Sequence, residues 1–363
     1  MSLPSATAPN LRSTAMAVPA GAIRLLVDSS GIGGIERHIA VLTAALRRRG
    51  YDARILLLDD HGDHPWLEQL AAEGLPFDVN RGGVNGLFQR LRAERAGLLH
   101  THGYKAGVLG RPIARLLGVP VVSTFHSGET GRFPVNVYQR LDEWTGLLAT
   151  RISVSPAIAG RLPFSSRLIA NFVATSDRPP TGPLPPAVGF VGRLSHEKGP
   201  DLFCLAASAS PPDVRWLVFG DGPMRGELQR QYGARVEFRG MVSNIAEAWP
   251  EIGLLLMPSR AEGLPMAALE ALAAGVPVAS ARVGAMPDVI RPGENGWLFD
   301  AGDLEAVGTI VRAWAGERDA RAEAWRLSAW RVAHDRFGVE TGLDRTLDAY
   351  AAAGFKASPP SRQ

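Results

Sequence analysis

Glu262 and Glu270 are separated by seven residues in the stretch Arg260–Gly275, which reads RAEGLPMAALEALAAG. Carboxylates accept hydrogen bonds strongly from hydroxyl groups, and a sugar or a ribose displays several. An apolar run, Ile252–Met257, precedes the pair, and an Ala/Leu stretch with helix-forming composition follows it. The order is therefore strand, Gly263-Leu264-Pro265 turn and helix start, with Glu270 one turn inside the helix. Helix N-termini present unpaired N–H groups to anions such as phosphate. Pro265 suits the first helical position, where its missing N–H costs nothing. Helical side chains lean toward the N-terminus, so Glu270 points back to the same cleft. Two Glu at this spacing are common by chance, and an exposed loop-and-helix pair is the bland alternative. The flanking strand and helix weigh against it.

Other residues could serve the same ligand. Arg193 and Lys198 follow the apolar run Val188–Val191 in GRLSHEKG. Fixed cations there would stabilise charge developing on a departing diphosphate. Many sugar-transfer sites hold a divalent metal with Asp-x-Asp, and this chain contains no such motif. In the first half, Ser29–Gly34 forms a glycine loop ahead of a helix, and Gly33 and Gly34 let backbone approach a phosphate or sugar closely. Glu36 and His38 read as helix-surface residues. His100 and His102 sit at i and i+2; they could suggest a metal, but at a strand end they share a face and can simply line a cleft. Tyr104 and Lys105 follow, and His126 stands just beyond the run Val121–Thr124.

These residues need a scaffold that presents strand ends. Short β-branched runs alternate with amphipathic helical stretches: Ile23–Asp28, Ala53–Leu58, Gly97–His100, Val119–Thr124 and Arg151–Val154, then Ala187–Val191, Val214–Phe219, Arg235–Phe238, Ile252–Met257, Val276–Ala279 and Gly296–Phe299. Alternation of this kind predicts parallel sheets covered by helices on both faces, with ligands at the strand ends. Within Gly34–Gly50, Ile35, Ile39, Leu42 and Leu46 share one helical face. The expected division is a disordered tail at 1–20, a first Rossmann-like domain at 21–172, a proline-rich linker at 173–186, a second Rossmann-like domain at 187–336, and a C-terminal helix with tail at 337–363. The 363 residues, 46% hydrophobic and 21% charged, suit two globular domains.

Composition narrows the function. A single cysteine, Cys204, excludes an intrachain disulfide framework or a Cys-based metal site and reads as a core residue. No apolar run approaches the length of a membrane span, and residues 1–20 lack the apolar segment of a signal peptide. The protein is expected in the cytoplasm or peripheral to the inner face of a membrane. Residues 1–175 hold 19 Arg/Lys against 13 Asp/Glu, whereas residues 176–363 hold 20 against 23. The basic first half could favour an anionic membrane surface or acceptor. Nucleic acid is not expected, because no dense basic run is interleaved with aromatics.

Taken in order, GIGGIERH (31–38), TFHSG (124–128), GRLSHEKG (192–199), VFGDGP (218–223), FRGMVS (238–243), Met257–Glu270 and AGVPV (274–278) resemble the motifs of retaining glycosyltransferases of family 4 over residues 21 to 352. The resemblance implies a GT-B architecture: two doubly wound domains facing across a cleft, with the last helix, here Leu343–Ala352, crossing back to the first domain. It implies a sugar donor activated by a nucleoside diphosphate, with UDP favoured over GDP, and no cofactor or metal. By resemblance Glu270 holds the ribose, Glu262 and the backbone of Gly263, Leu264 and Pro265 hold the donor sugar, Arg193 and Lys198 hold the diphosphate, Met241 lies near the base, and His126 contacts the sugar from the opposite wall; His126 and Glu262 are the catalytic candidates. His102, Tyr104 and Lys105 are acceptor-side candidates, as are the loops Arg81–Asn85 and Gly128–Asn136. The acceptor is expected to be a glycan, a lipid-linked sugar or a small molecule, in envelope or extracellular polysaccharide synthesis. Ala285, Asp288 and Phe172 depart from the family pattern. A sugar-nucleotide epimerase or phosphorylase, a non-catalytic donor-binding subunit, and an NAD-linked dehydrogenase using Asp59 or Asp60 are the competing readings.

Overall fold

The computed structural model describes residues 21–62, 64–126, 135–242 and 244–356. Two parallel sheets organise the chain. The first is built from β1 (Ile23–Val27), α1 (Gly34–Arg48), β2 (Ala53–Leu57), α2 (Pro65–Ala72), β3 (Phe77–Val79), α3 (Gly83–Ala93), β4 (Leu98–His102), α4 (Tyr104–Leu116), β5 (Val121–Phe125), α5 (Val135–Thr145), β6 (Thr150–Ser153), α6 (Pro156–Arg161) and β7 (Arg167–Leu168). The second comprises β8 (Ala187–Val191), α7 (Pro200–Ser208), β9 (Arg215–Phe219), α8 (Arg225–Tyr232), β10 (Glu237–Gly240), β11 (Leu254–Met257), α9 (Met266–Ala273), β12 (Val278–Ala281), α10 (Met286–Val289), β13 (Gly296–Phe299) and α11 (Leu304–Phe337). A final helix, α12 (Val339–Ala352), ends the described chain.

Strand order is β3-β2-β1-β4-β5-β6-β7 in the first sheet and β10-β9-β8-β11-β12-β13 in the second. In each sheet the order reverses beside the first strand, so β1/β4 and β8/β11 open crevices at their carboxyl ends. The central strands β1, β4, β8 and β11 are buried throughout because helices cover both faces, and β8 and β11 read as continuous apolar runs. The strands β3 and β7 carry no signal in the sequence. Both are edge strands of three and two residues, and neither has a buried residue.

The last helix returns to the first domain. Leu343, Ala349 and Tyr350 of α12 join one core cluster with Ile39, Leu42 and Leu46 of α1. Arg49 bridges Glu340 and Asp344 across the same junction. This helix starts at Val339, four residues before the expected Leu343, because Gly338 ends α11 and acts as the cap of α12. Phe172, a departure from the family pattern, packs so closely on Gly342 that a Cβ there would lie 2.0 Å from its ring. The aromatic side chain fills the space that a glycine in α12 leaves open. Cys204 is buried within the second domain's core, and burial pushes its thiol up to about 12.

Candidate active site

The crevices of the two sheets face one another and enclose a cavity of about 590 Å³. One wall comes from the end of β1 and the start of α1: Asp28, Ser29 to Gly34, Glu36 and Arg37. The other comes from the second domain: Gly192, Arg193, Lys198, Met241, Ser259, Glu262, Pro265 and Met266 among them. Residues far apart in sequence are brought together by two topological reversals.

Local sequence places each group. Gly199 adopts φ +68° with its backbone against Pro258, where a Cβ would lie 2.3 Å from the carbonyl oxygen. That left-handed turn ends a short 3₁₀ segment and sets Lys198 against Glu262. Lys198 Nζ donates to Glu262 Oε2 at 2.7 Å, and Ser259 Oγ donates to Oε1 at 2.8 Å. Glu262 is thus a buried carboxylate with both oxygens engaged. Arg193 is exposed on the cavity wall and makes no ion pair among the described residues. Pro265 is the N-cap of α9, not its first helical residue as the sequence suggested; its ψ of 129° is extended, and the helix begins at Met266. Gly34 faces Met266 across the cleft, 3.8 Å from the position its Cβ would take. The glycine loop of one domain and the helix start of the other therefore form opposite sides of one opening.

Gly263 and Leu264 do not line the cavity. Gly263 lies under His126, where a Cβ would meet the His126 carbonyl oxygen at 2.7 Å, and its own carbonyl accepts from Ala285 N–H at 2.8 Å. Leu264 is core, and its carbonyl accepts from Asn171 Nδ2 at 2.7 Å. Glu270 also stands back from the cavity, because Arg37 covers it: Arg37 Nη1 donates to Glu270 Oε2 at 2.8 Å. Burial pushes the Glu270 carboxyl up, and the guanidinium offsets part of that rise. Arg37 was not singled out in the sequence, although it lies inside the GIGGIERH motif.

A second cavity, about 280 Å³, opens beside the first and shares Asp28 with it. Tyr104, Lys105, Thr124, His126, Gln139, Glu143 and Arg161 are among its walls. Lys105 Nζ pairs with Asp28 at 2.7 Å. His126 therefore faces this smaller cavity. The loop at 81–85 borders neither cavity, and Arg81 pairs instead with Asp60 on the surface. Most of the candidate loop Gly128–Asn136, together with the tail at 1–20, lies outside the described residues. Asp59 and Asp60 are exposed and border neither cavity, so the acid expected of a dinucleotide site is not placed at the glycine loop.

Two expectations about histidines are corrected. His38 is buried, not on the helix surface: it lies three residues after Ile35 and four before Leu42, on the apolar face of α1. Glu36 likewise turns inward and lines the main cavity, and burial raises its carboxyl above the ordinary value. His102 is fully buried and lines neither cavity. His100 Nδ1 contacts the Tyr350 hydroxyl at 2.8 Å and its Nε2 contacts the Thr124 hydroxyl at 2.8 Å, which ties β4 to the last helix. His102 Nδ1 lies 3.0 Å from His126 Nε2. His38, His102 and His126 each bring one ring nitrogen within 4.8 Å of the others, a set that could hold a borderline divalent ion such as zinc.

This group should make the fold acid-sensitive. Burial lowers His38 from 6.5 to about 4 and His100 to about 3, and it lowers His102 and His126 as well. Each binds a proton more weakly folded than unfolded. Their stabilising contribution is complete above pH 6.5 and is lost as pH falls through the folded values. For His38 alone the linkage is about 3 kcal/mol. The melting temperature is expected to drop steeply from pH 6.5 toward 4, and His38→Asn should flatten part of that slope. An equally steep profile in the variant would remove His38 from the account.

Comparison with known proteins agrees with the geometry. Residues 33–171 match the family model described as Glycosyl transferase 4-like domain, and residues 185–315 match Glycosyl transferases group 1. A 2-deoxystreptamine N-acetyl-D-glucosaminyltransferase of Streptomyces fradiae is 29% identical, covering 91% of this chain and 93% of its own. A D-inositol 3-phosphate glycosyltransferase of Xylanimonas cellulosilytica is 25% identical, covering 88% and 92%. Among solved structures, Anabaena HepE in complex with UDP and glucose superposes with a TM-score of 0.79 at 20% identity, covering 92% of this chain and all of that one. Both halves of the chain, in order and joined as in these relatives, identify it: the chain belongs to the group 1 glycosyltransferases and is an enzyme of GT-B architecture.

Proposed function

We propose that the enzyme moves a sugar from a nucleoside diphosphate donor, UDP-linked in preference to GDP-linked, to an acceptor hydroxyl, with retention at the anomeric carbon. The observation that carries this reading is the convergence on one cavity of Arg193, Lys198, Glu262, the glycine loop and the N-terminus of α9. The diphosphate would lie against Arg193, Lys198 and the helix start, where fixed positive charge stabilises the departing phosphate. Ribose hydroxyls would bind Glu270, and the base would lie by Met241 and Val242. Glu262, held by Lys198 and Ser259, would accept from the sugar hydroxyls, with His126 facing the sugar from the smaller cavity. No covalent nucleophile is assigned, because both glutamates serve binding; the leaving phosphate oxygen takes the acceptor's proton on the same face. The acceptor enters the smaller cavity beside Tyr104 and Lys105. It is a glycan, lipid-linked or small-molecule hydroxyl, of the kind used in envelope polysaccharide synthesis. UDP in the HepE structure supports the choice of base.

The test is calorimetric titration of the purified protein with UDP, GDP and NAD, with and without EDTA, followed by turnover of the matching sugar nucleotide. UDP binding that survives EDTA is expected, with NAD not bound. Preference for GDP would change the donor. Activity lost in EDTA and restored by zinc would overturn the metal-free reading and direct attention to His38, His102 and His126. Sugar released or rearranged with no acceptor would favour a phosphorylase or epimerase.

A further inference from the structure

Helix α5 is turned inside out. Its acids and Gln139 face the protein: Asp142 is buried and paired with the buried Arg111 at 2.9 Å, and Gln139 and Glu143 line the smaller cavity. Its apolar residues face solvent. Val137, Leu141 and Trp144 follow one another at i, i+4 and i+7, with Tyr138 alongside, and Trp144 is 62% exposed. A soluble helix normally presents the opposite arrangement. The adjoining segments continue the pattern. Leu116 and Leu147 are exposed, and the Trp144 ring meets Phe164 at 5.7 Å. Few large apolar side chains are this exposed elsewhere among the described residues; Val84, Leu205 and Met241 are scattered, and Met241 belongs to the donor cavity.

Charge selects the occupant. Residues 104–168 contain eight Lys/Arg and three Asp/Glu. The buried pair Asp142–Arg111 cancels one charge of each sign, Arg140 is exposed on α5 itself, and Arg115 and Arg151 stand on the segments beside it. Arg115 Nε donates to the Leu148 carbonyl, and Arg151 lies over the Phe164 ring, so both are anchored at the patch. A second copy would set one basic collar against another, whereas an anionic bilayer complements it. Trp and Tyr beside basic residues are the side chains that settle at the lipid headgroup level.

We propose that this face docks on an anionic lipid surface. The inference rests on the transferase reading and specifies its acceptor: an amphiphile whose lipid stays in the bilayer while its polar head enters the cavity on the other side of α5. No helix of the described residues is long and apolar enough to cross a membrane. One helix thus supplies both the docking stripe and the wall of the acceptor cavity.

The experiment is co-sedimentation of the full chain with vesicles of neutral phosphatidylcholine, and of phosphatidylcholine with about 30% phosphatidylglycerol, at low and high salt. Binding to the anionic vesicles is expected, weakened by salt, and reduced at least ~10-fold by the pair Leu141→Ser, Trp144→Ser. A second variant, Arg140→Glu, should weaken binding without removing the apolar stripe. UDP affinity is measured on every preparation: neither substitution touches the donor cavity, so it should be unchanged. Intact UDP binding with no vesicle binding, or vesicle binding indifferent to both variants, overturns the docking proposal alone. Loss of UDP binding by the unsubstituted protein would instead indict the transferase reading. A concentration-dependent dimer in light scattering, abolished by the Leu141/Trp144 pair, would assign the face to a second copy and overturn the lipid surface.

Discussion

Replacing Glu270 with alanine is expected to weaken UDP binding by roughly 100-fold or more, because two hydroxyl-to-carboxylate hydrogen bonds contribute about 1.5–3 kcal/mol each. The effect should exceed that of any neutral contact in the cleft, since the carboxylate is mostly buried, with 12% of its side chain exposed. Arg37 makes the experiment more informative. Its Nη1 donates to Glu270 Oε2, so a ribose bound there must share or displace the guanidinium. Arg37→Ala removes that competition but leaves a buried carboxylate without its counter-ion. Burial already raises the Glu270 carboxyl, and loss of Arg37 raises it further. UDP affinity in Arg37→Ala should therefore fall as pH falls toward 6, while the parent protein changes less. Calorimetry on parent, Glu270→Ala and Arg37→Ala at pH 6 and 8 reads both effects. Unchanged affinity in Glu270→Ala would sink the ribose assignment, and a pH-independent Arg37→Ala would detach Arg37 from it.

What could be read from the chain followed from what is local. Buried parallel strands such as β8 and β11 are short apolar runs, and the residues just past them, Arg193 and Glu262, fall at strand ends by topology. The edge strands β3 and β7 carry no such signal; Asp78 sits in the middle of one, and the other has two exposed residues. His38 was legible by helical phase, being aligned with Ile35 and Leu42, but its polar type argued for the surface. The contact of Arg37 with Glu270 spans 233 residues of sequence and exists only because the two domains meet there. The reversed polarity of α5 was also hidden: apolar residues at helical spacing read as a core face unless the location of Asp142 is known. Contacts that depend on the docking of one domain on another needed the structure, and so did the burial of a polar residue within a single helix, as His38 shows.

Replacing Lys198 with alanine is expected to lower kcat by about 100- to 1,000-fold with a smaller change in KM, the scale seen when one preorganised donor to a developing oxyanion is removed. The argument is one of timing. Charge on the leaving diphosphate grows as the bond to the sugar breaks, so a cation aimed there acts more on the transition state than on the bound donor. Lys198 has a second duty that must be separated from the first: its Nζ neutralises Glu262, whose side chain is only 4% exposed. Removing the lysine therefore also costs stability, because it leaves a buried carboxylate held by Ser259 alone. Lys198→Arg keeps the charge and Glu262→Gln removes the need for it, so the pair divides the two effects. If the lysine acts on the diphosphate, the double variant Lys198→Ala, Glu262→Gln regains melting temperature over Lys198→Ala while its kcat stays well below that of Glu262→Gln alone, whereas Lys198→Arg retains part of both. Equal kcat in the double variant and in Glu262→Gln alone would show that Lys198 serves only to seat Glu262, and the stabilisation of the leaving group would then fall to Arg193 and the start of α9.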